Sequence, residues 1–311
     1  MLAANKKQTK QKWSKMKRKE ALWGFLFVSP FIIGFIAFLM GPMLFSLYGS
    51  FTNYNLTSKM DLIGFNNYIR MFTQDGLFWK SLYNTLYYVV FSVPLNAVGA
   101  VLMAALLNQK MRGIKFFRTI FYMPAILSGV AVYVLWMQLL APSTGLINTL
   151  LGFIGIAGPA WLFDPQWTKP ALIIMNLWSV GGSMLLFLAT LQNVPTQLYE
   201  SAELDGANTL KRFWHITLPM ITPIIFYNVV TSIIGSFQIF QEAYIMTDGG
   251  TGGPSNSLLF YNLHMWNKAF VAFDMGYAMA MSWGLFFIVF ILTLINLKLA
   301  PLWVRYEGGN S

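Results

Sequence analysis

Cysteine is absent from this chain, so it can build no disulfide framework, thiolate metal site or cysteine nucleophile. Histidine is nearly absent. His215 and His264 are the only two, and the topology derived below puts them on opposite sides of a membrane, which argues against a histidine metal site or a catalytic triad. His215 is expected in the packing of a hairpin. Charge is scarce: 10% of the 311 residues are Asp, Glu, Lys or Arg, against about 25% in soluble domains. Such a chain cannot cover a water-facing surface of its own size. No G-x-x-x-x-G-K-[ST] phosphate loop occurs, which removes the usual nucleotide-hydrolysing element. No internal repeat is visible.

Apolar residues fill the space that charge leaves. They make up 56% of the chain and aromatics 17%, with a mean hydropathy of +0.55. A transmembrane helix needs about 20 apolar residues, and six stretches qualify: roughly 21–45, 83–107, 116–140, 170–191, 220–241 and 276–297. No Asp, Glu or Lys lies inside them, and Arg118 sits at the very start of the third. Pro30, Pro94, Pro124 and Pro223 fall within spans, where neighbouring helices can re-satisfy the freed backbone groups. The predicted class is an all-α integral membrane protein with six transmembrane helices. A signal peptide is not expected at the N-terminus, because the apolar run after the basic residues exceeds an h-region of about 7–15 residues.

The basic residues set the orientation. With six spans and an internal N-terminus, all of the 21 Lys and Arg lie inside except Lys59, Arg70, Lys80, Lys169 and Lys268, as the positive-inside bias requires. A seventh span over 146–163 would expose Lys211 and Arg212 on the outer side. Gly145, Gly152, Gly155, Gly158 and Pro159 also weaken that segment as a helix, so it reads as an outer loop with a short interfacial helix. Residues 1–20 read as a basic cytoplasmic tail, 21–305 as one membrane domain and 306–311 as a C-terminal tail, with both termini cytoplasmic. The same count removes nucleic acid as a partner, since the basic residues are topology determinants.

Between spans 4 and 5 lies a charged segment. Pro195 and Thr196 can open a helix, proline being favoured in its first turn. Gln197–Leu204 then gives about two turns, and Gly206 suits a left-handed C-terminal cap. Asn208 or Thr209 can cap a second helix running through Phe213 and Ile216 to Pro219. Leu198, Ala202 and Leu204 give the first helix an apolar side beside Glu200 and Glu203. Such a helix fits a groove on a partner protein or lies on lipid. Acidic residues facing anionic headgroups disfavour the second reading.

The order Glu200-Ser201-Ala202, Asp205-Gly206-Ala207, Phe213, Ile216, Leu218-Pro219 and Pro223 resembles the E-A-A-x-x-D-G-A loop and following F-x-x-I-x-L-P of ABC importer permeases. Ser201 departs from the usual alanine. Other stretches resemble the carbohydrate-uptake, MalF-type branch: Ser29-Pro30, Ser50-Phe51-Thr52, Ile63 to Tyr68, Gly145 to Asn148, Met246 to Pro254 and Ala269-Phe270. The likeness covers nearly the whole chain, which lacks the extra N-terminal spans and inserted outer domain of the long form.

The resemblance implies a permease subunit of an ATP-driven importer in a bacterial inner membrane, moving a sugar, an oligosaccharide being favoured by the aromatic content. It implies a second homologous permease subunit, two ATP-binding subunits that carry ATP and Mg, and an extracytoplasmic solute-binding protein. The 196–219 hairpin would be the coupling helix, with Glu200 contacting a basic residue of the ATPase, Gly206 forming the turn, and Ser201, Ala202, Asp205, Ala207, Phe213 and Pro219 completing the element. No cofactor is expected on this chain.

The sugar path is read from the residues. Asn176, Ser179 and Ser183 share a face of span 4; Asn228, Ser232 and Ser236 share one of span 5, with Gln238 and Gln241 nearby. Neutral amides and hydroxyls can bind sugar hydroxyls, and Trp178, Phe226, Tyr227 and Phe237 offer apolar ring faces. Small polar residues also hold membrane helices together, so these positions serve either purpose. An ion-coupled carrier is the competing function, but such carriers place ionisable residues at span depth. An intramembrane enzyme lacks the His, Asp or Glu cluster it would need.

Overall fold

The 35-residue helix α1 (Lys15–Gly49) opens the computed structural model, which describes residues 15–57, 59–109, 111–127 and 129–305. Its helical start at Lys15 lies inside the segment read as a tail, while Lys6, Lys7, Lys10, Lys12, Lys110 and the 306–311 tail fall outside the described residues. A wide π turn at Ile36–Met40, before Gly41 and Pro42, interrupts it without ending it. Phe25, Phe27, Phe31 and Phe38 are exposed, and none of its apolar stretch is buried against the rest of the chain.

A short helix, α2 (Asn66–Thr73), leads to α3 (Gly76–Leu107). Asp75 caps α3: its carboxylate accepts from the Leu77 and Phe78 amides at 3.0 and 3.3 Å. At the far end Arg118 Nη2 donates to the Leu107 carbonyl at 2.8 Å, a cation on an orphan C-terminal acceptor. The third span is broken into α4 (Ile114–Ile126) and α5 (Gly129–Leu139). The eight-residue α6 (Leu146–Phe153) follows. At about 1.5 Å per residue it is far too short to cross a membrane.

The fourth span is α7 (Thr168–Trp178) and α8 (Gly181–Leu191), bent by 44°. Gly181 is required at that bend. A Cβ there would collide with the Phe121 carbonyl oxygen and stand 2.9 Å from Tyr122 Cα. The hairpin helix α9 (Thr196–Leu204) comes next. Then α10 (Thr209–Met220) meets α11 (Thr222–Phe237) at 65°. Short α12 (Gln241–Met246) and α13 (Tyr261–Trp266) precede the final α14 (Met275–Trp303). Three helices can cross a membrane alone and the three bent pairs bring the spans to six. Among the described residues there is no strand, only a bridge between Thr52 and Leu62.

Helix α3 is the central post. It packs on α7, α8, α11 and α13 and contributes to all three apolar clusters. Ala100 and Ala104 meet Met184, Phe187 and Ile221 at the hairpin end. Tyr88 joins Trp136, Leu172 and Phe260, while Phe78 joins Phe237, Tyr261 and Tyr277. Several family-like motifs prove to be loop ties. Asn67 Nδ2 donates to the Ser50 and Thr52 carbonyls at 2.9 and 2.8 Å. Asn148 Nδ2 donates to the Pro142 and Pro159 carbonyls, and its Oδ1 accepts from Trp161 Nε1 at 2.7 Å.

Candidate functional site

The hairpin is defined by its caps. At the end of α9 the Ala207 amide donates to the Ala202 carbonyl at 2.8 Å and the Gly206 amide to the Glu203 carbonyl at 3.0 Å. This 6→1 and 5→2 pair is the Schellman arrangement, and Gly206 holds the left-handed conformation it needs, at φ +76°. Asn208 caps α10, its Oδ1 accepting from the Lys211 amide at 2.8 Å. Ser201, the departure from alanine, turns its hydroxyl onto the Gln197 carbonyl at 2.8 Å and so satisfies itself within the helix.

Two ties hold the helices of the hairpin together: the Tyr199 and Thr217 hydroxyls at 3.0 Å, and an Arg212–Glu203 ion pair at 3.1 Å. Tyr199, Phe213, Ile216 and Leu218 pack onto the cluster formed by α3 and α8, so the hairpin is fastened to two spans. Glu200, Ser201 and Asp205 are exposed, Ala202 and Ala207 half-buried. Leu204 is 91% exposed, and Leu210 and Trp214 are open beside it. Pro219 lies in the last turn of α10, and the Thr222 hydroxyl donates to the Pro219 carbonyl at 2.8 Å while accepting from the Arg305 amide at 2.9 Å. His215 departs from the expected packing. Its ring is exposed, with Nδ1 3.0 Å from the Lys211 carbonyl.

The second site is a cavity of about 880 Å³ between α3, α5, α7 and the helices from α11 to α14. Asn176, Ser236 and Gln238 line it; Ser179 lines a smaller cavity of about 330 Å³ beside it. Ser183, Asn228 and Ser232 line neither. Asn228 Nδ2 instead donates to Ser183 Oγ at 2.9 Å, joining α11 to α8. Asn176 also works across helices, its Oδ1 accepting from Asn96 at 3.1 Å.

The aromatic residues singled out by sequence lie elsewhere. Phe237 is fully buried, Phe226 packs on Trp303, Trp178 on Trp136, and Tyr227 is exposed. The rings in the cavity are Tyr88, Tyr133, Phe240, Trp266 and Phe270. Glu242 lines it too. Helix α12 turns back onto α5 and carries this carboxylate, one residue beyond the predicted fifth span, into the bundle. Only this return of the chain, not any periodicity within a span, would have found Glu242, Trp266 and Phe270.

A network at the end opposite the hairpin was also not foreseen. Asp75 Oδ2 accepts from the Tyr277 hydroxyl at 2.7 Å, lies 2.8 Å from His264 Nε2 and 3.7 Å from Lys268 Nζ. Arg70 and Asp274 pair at 2.6 Å nearby. Burial disfavours the Asp75 charge, but the hydrogen bonds from Tyr277 and His264 and the charges of His264 and Lys268 outweigh it, drawing the carboxyl to about 2. Burial pushes the His264 imidazole below its ordinary value, although Asp75 opposes the shift.

Six spans, a capped hairpin at one end and a polar-aromatic cavity inside describe a transport subunit. The chain belongs to the family described as binding-protein-dependent transport system inner membrane component, which matches residues 74–303. It is a transport component and not an enzyme, and it works with a solute-binding protein and other ABC transporter subunits. It is 44% identical to the probable ABC transporter permease protein YesP of Bacillus subtilis, over 96% of this chain and 97% of that protein. It is 36% identical to the lactose transport system permease protein LacF of Rhizobium radiobacter, over 91% and 95%. A crystal structure of a bacterial alginate ABC transporter, in complex with an alginate pentasaccharide-bound periplasmic protein, superposes with a TM-score of 0.80 at 26% identity, covering 93% of this chain and 96% of that one.

Proposed function

We propose that this chain is the saccharide-conducting permease subunit of an ATP-driven importer, with the cavity as its sugar path and the hairpin as its joint to the ATPase. The observation that carries the proposal is α3. The same continuous helix lines the cavity at Tyr88 and buries the hairpin anchors at Ala100, Ala104 and Leu107, ~18–28 Å further along it at 1.5 Å per residue. A movement of the hairpin therefore has a rigid route to the cavity. The lactose and alginate systems among the relatives favour a saccharide.

In this reading the hairpin and both termini face the cytoplasm, as the basic residues ask. Glu200, exposed and unpaired with any Lys or Arg among the described residues, meets a basic residue of an ATP-binding subunit. ATP and Mg reside there, on two copies, and a second homologous permease completes the path. Nucleotide and sugar then bias one inward-open to outward-open equilibrium from two sites. The test is ATP hydrolysis by the complete reconstituted complex over a panel of saccharides with the loaded binding protein. Stimulation by at least one saccharide is expected. Uptake that follows an ion gradient and ignores ATP would reject the proposal.

A further inference from the structure

We infer that Tyr88, Tyr133, Asn176 and Glu242 form a sugar-recognising neck in which Glu242 selects uncharged saccharides over carboxylated ones. The inference rests on the saccharide reading above and narrows it to a substrate class. These four side chains line both cavities, the larger and the smaller. They therefore stand at the wall the two spaces share, and a solute passing between the spaces meets them. They come from four helices, α3, α5, α7 and α12, so the neck exists only in the folded bundle.

The chemistry of the wall is one-sided. Glu242 is the one ionisable carboxylate on either cavity, and among the described residues no Lys or Arg lines them. A carboxylate is an acceptor only, and its hydrogen bonds from neutral hydroxyls are charge-assisted. Adjacent hydroxyls of a neutral sugar can donate to its two oxygens. Asn176 and the two tyrosines add donors and acceptors around it. A uronate would instead set a second negative charge beside Glu242 on a wall to which this chain's described residues bring no cation to offset it, and like charges at close range repel.

The larger cavity also supplies the apolar half of a sugar site. Phe240, Trp266 and Phe270 step along its wall with ring centroids 5.2 and 4.1 Å apart. A pyranose stacked on this row through its axial C–H face keeps its equatorial hydroxyls in the ring plane, free to bond the polar residues around the cavity rim. Aromatic faces bind neutral and acidic sugars alike, so the row supplies affinity while Glu242 sets the discrimination.

The test measures equilibrium binding of three probes to the complete permease–ATPase complex in nanodiscs without the binding protein: maltotriose, xylotriose and trigalacturonate. The wild type is expected to bind a neutral trisaccharide about tenfold or more tightly than trigalacturonate. Glu242→Gln is expected to weaken neutral binding about tenfold, the loss of one charge-assisted bond, and to close the gap to trigalacturonate. Trp266→Ala is expected to weaken all bound probes together and leave the ratio unchanged. Wild-type preference for trigalacturonate, or an unchanged ratio in a Glu242→Gln complex that still assembles and hydrolyses ATP, overturns the inference and leaves the saccharide reading standing. Binding of none of the three, with no saccharide stimulating hydrolysis, removes both.

Discussion

At Gly206 a side chain would have open space but an unfavourable backbone: no atom lies within 4 Å of a Cβ built there, while φ is +76°. The penalty for any L-residue is therefore conformational, about 1–2 kcal/mol. Gly206→Ala is expected to fray the end of α9 and reduce saccharide-stimulated ATP hydrolysis in part. Gly206→Pro removes the amide that donates to Glu203 and cannot reach positive φ. It should abolish stimulation while insertion and sugar binding persist, which nanodisc ATPase and binding assays on one preparation can separate. Glu200→Lys keeps the helix but reverses the charge offered to a basic partner, so loss of ATPase co-purification is expected. His264 gives a pH signature. Burial holds its folded value below the ordinary one, so the unfolded state binds the proton first, and stability is full above about pH 6.5 and falls as pH drops below it. Asp75, already drawn to about 2, contributes a constant over that range and is lost only in strong acid. The Tm of the purified complex should decline between pH 7 and 5, and His264→Gln should flatten the decline.

Between elements, the decisive positions are small or paired. Replacing Gly181 with Leu would force α8 off the α4 backbone at Phe121 and Tyr122. Overpacking of this kind costs about 1–3 kcal/mol, and a lowered yield of assembled complex with a reduced Tm is the expected result. The Asn228–Ser183 bond carries a different expectation. Asn228 is buried away from both cavities, so Asn228→Ala should lower Tm more than it changes sugar affinity. How far the sequence could be read follows the same division. The spans, the hairpin and its caps were legible because each depends on neighbours in sequence: a run of apolar residues, a glycine after two turns, an asparagine before the next helix. The two polar rows on spans 4 and 5 were legible only as rows. Which of their members reach a cavity depends on the bends at Ser179 and Ile221, and nothing local in the sequence sets those directions. Glu242 and Trp266 were hidden because they follow the fifth span, in a segment that reads as outer loop until α12 and α13 fold back against α5 and α3.

At the scale of the molecule, the proposed sugar path and the proposed ATPase joint are linked through α3 only if that helix transmits displacement as a rod. Pro94 lies within it, between Tyr88 and Ala100, so rigidity comes from packing rather than from an unbroken hydrogen-bond ladder. Ala100 and Ala104 are fully buried against Met184, Phe187 and Ile221, and their small size lets α3 and α8 approach closely, as small residues do between membrane helices. Ala104→Leu inserts three carbons into that contact, about 1–3 kcal/mol of overpacking, at a point remote from both the cavity lining and the exposed hairpin residues. A chain that still assembles with this change should bind saccharide and its ATPase normally, because neither surface is altered. Saccharide should then fail to stimulate hydrolysis, because the wedge separates the post from the helix that seats the hairpin. Full stimulation in an assembled Ala104→Leu complex would mean that the signal bypasses α3, and the route would have to run through α10 and α11 instead.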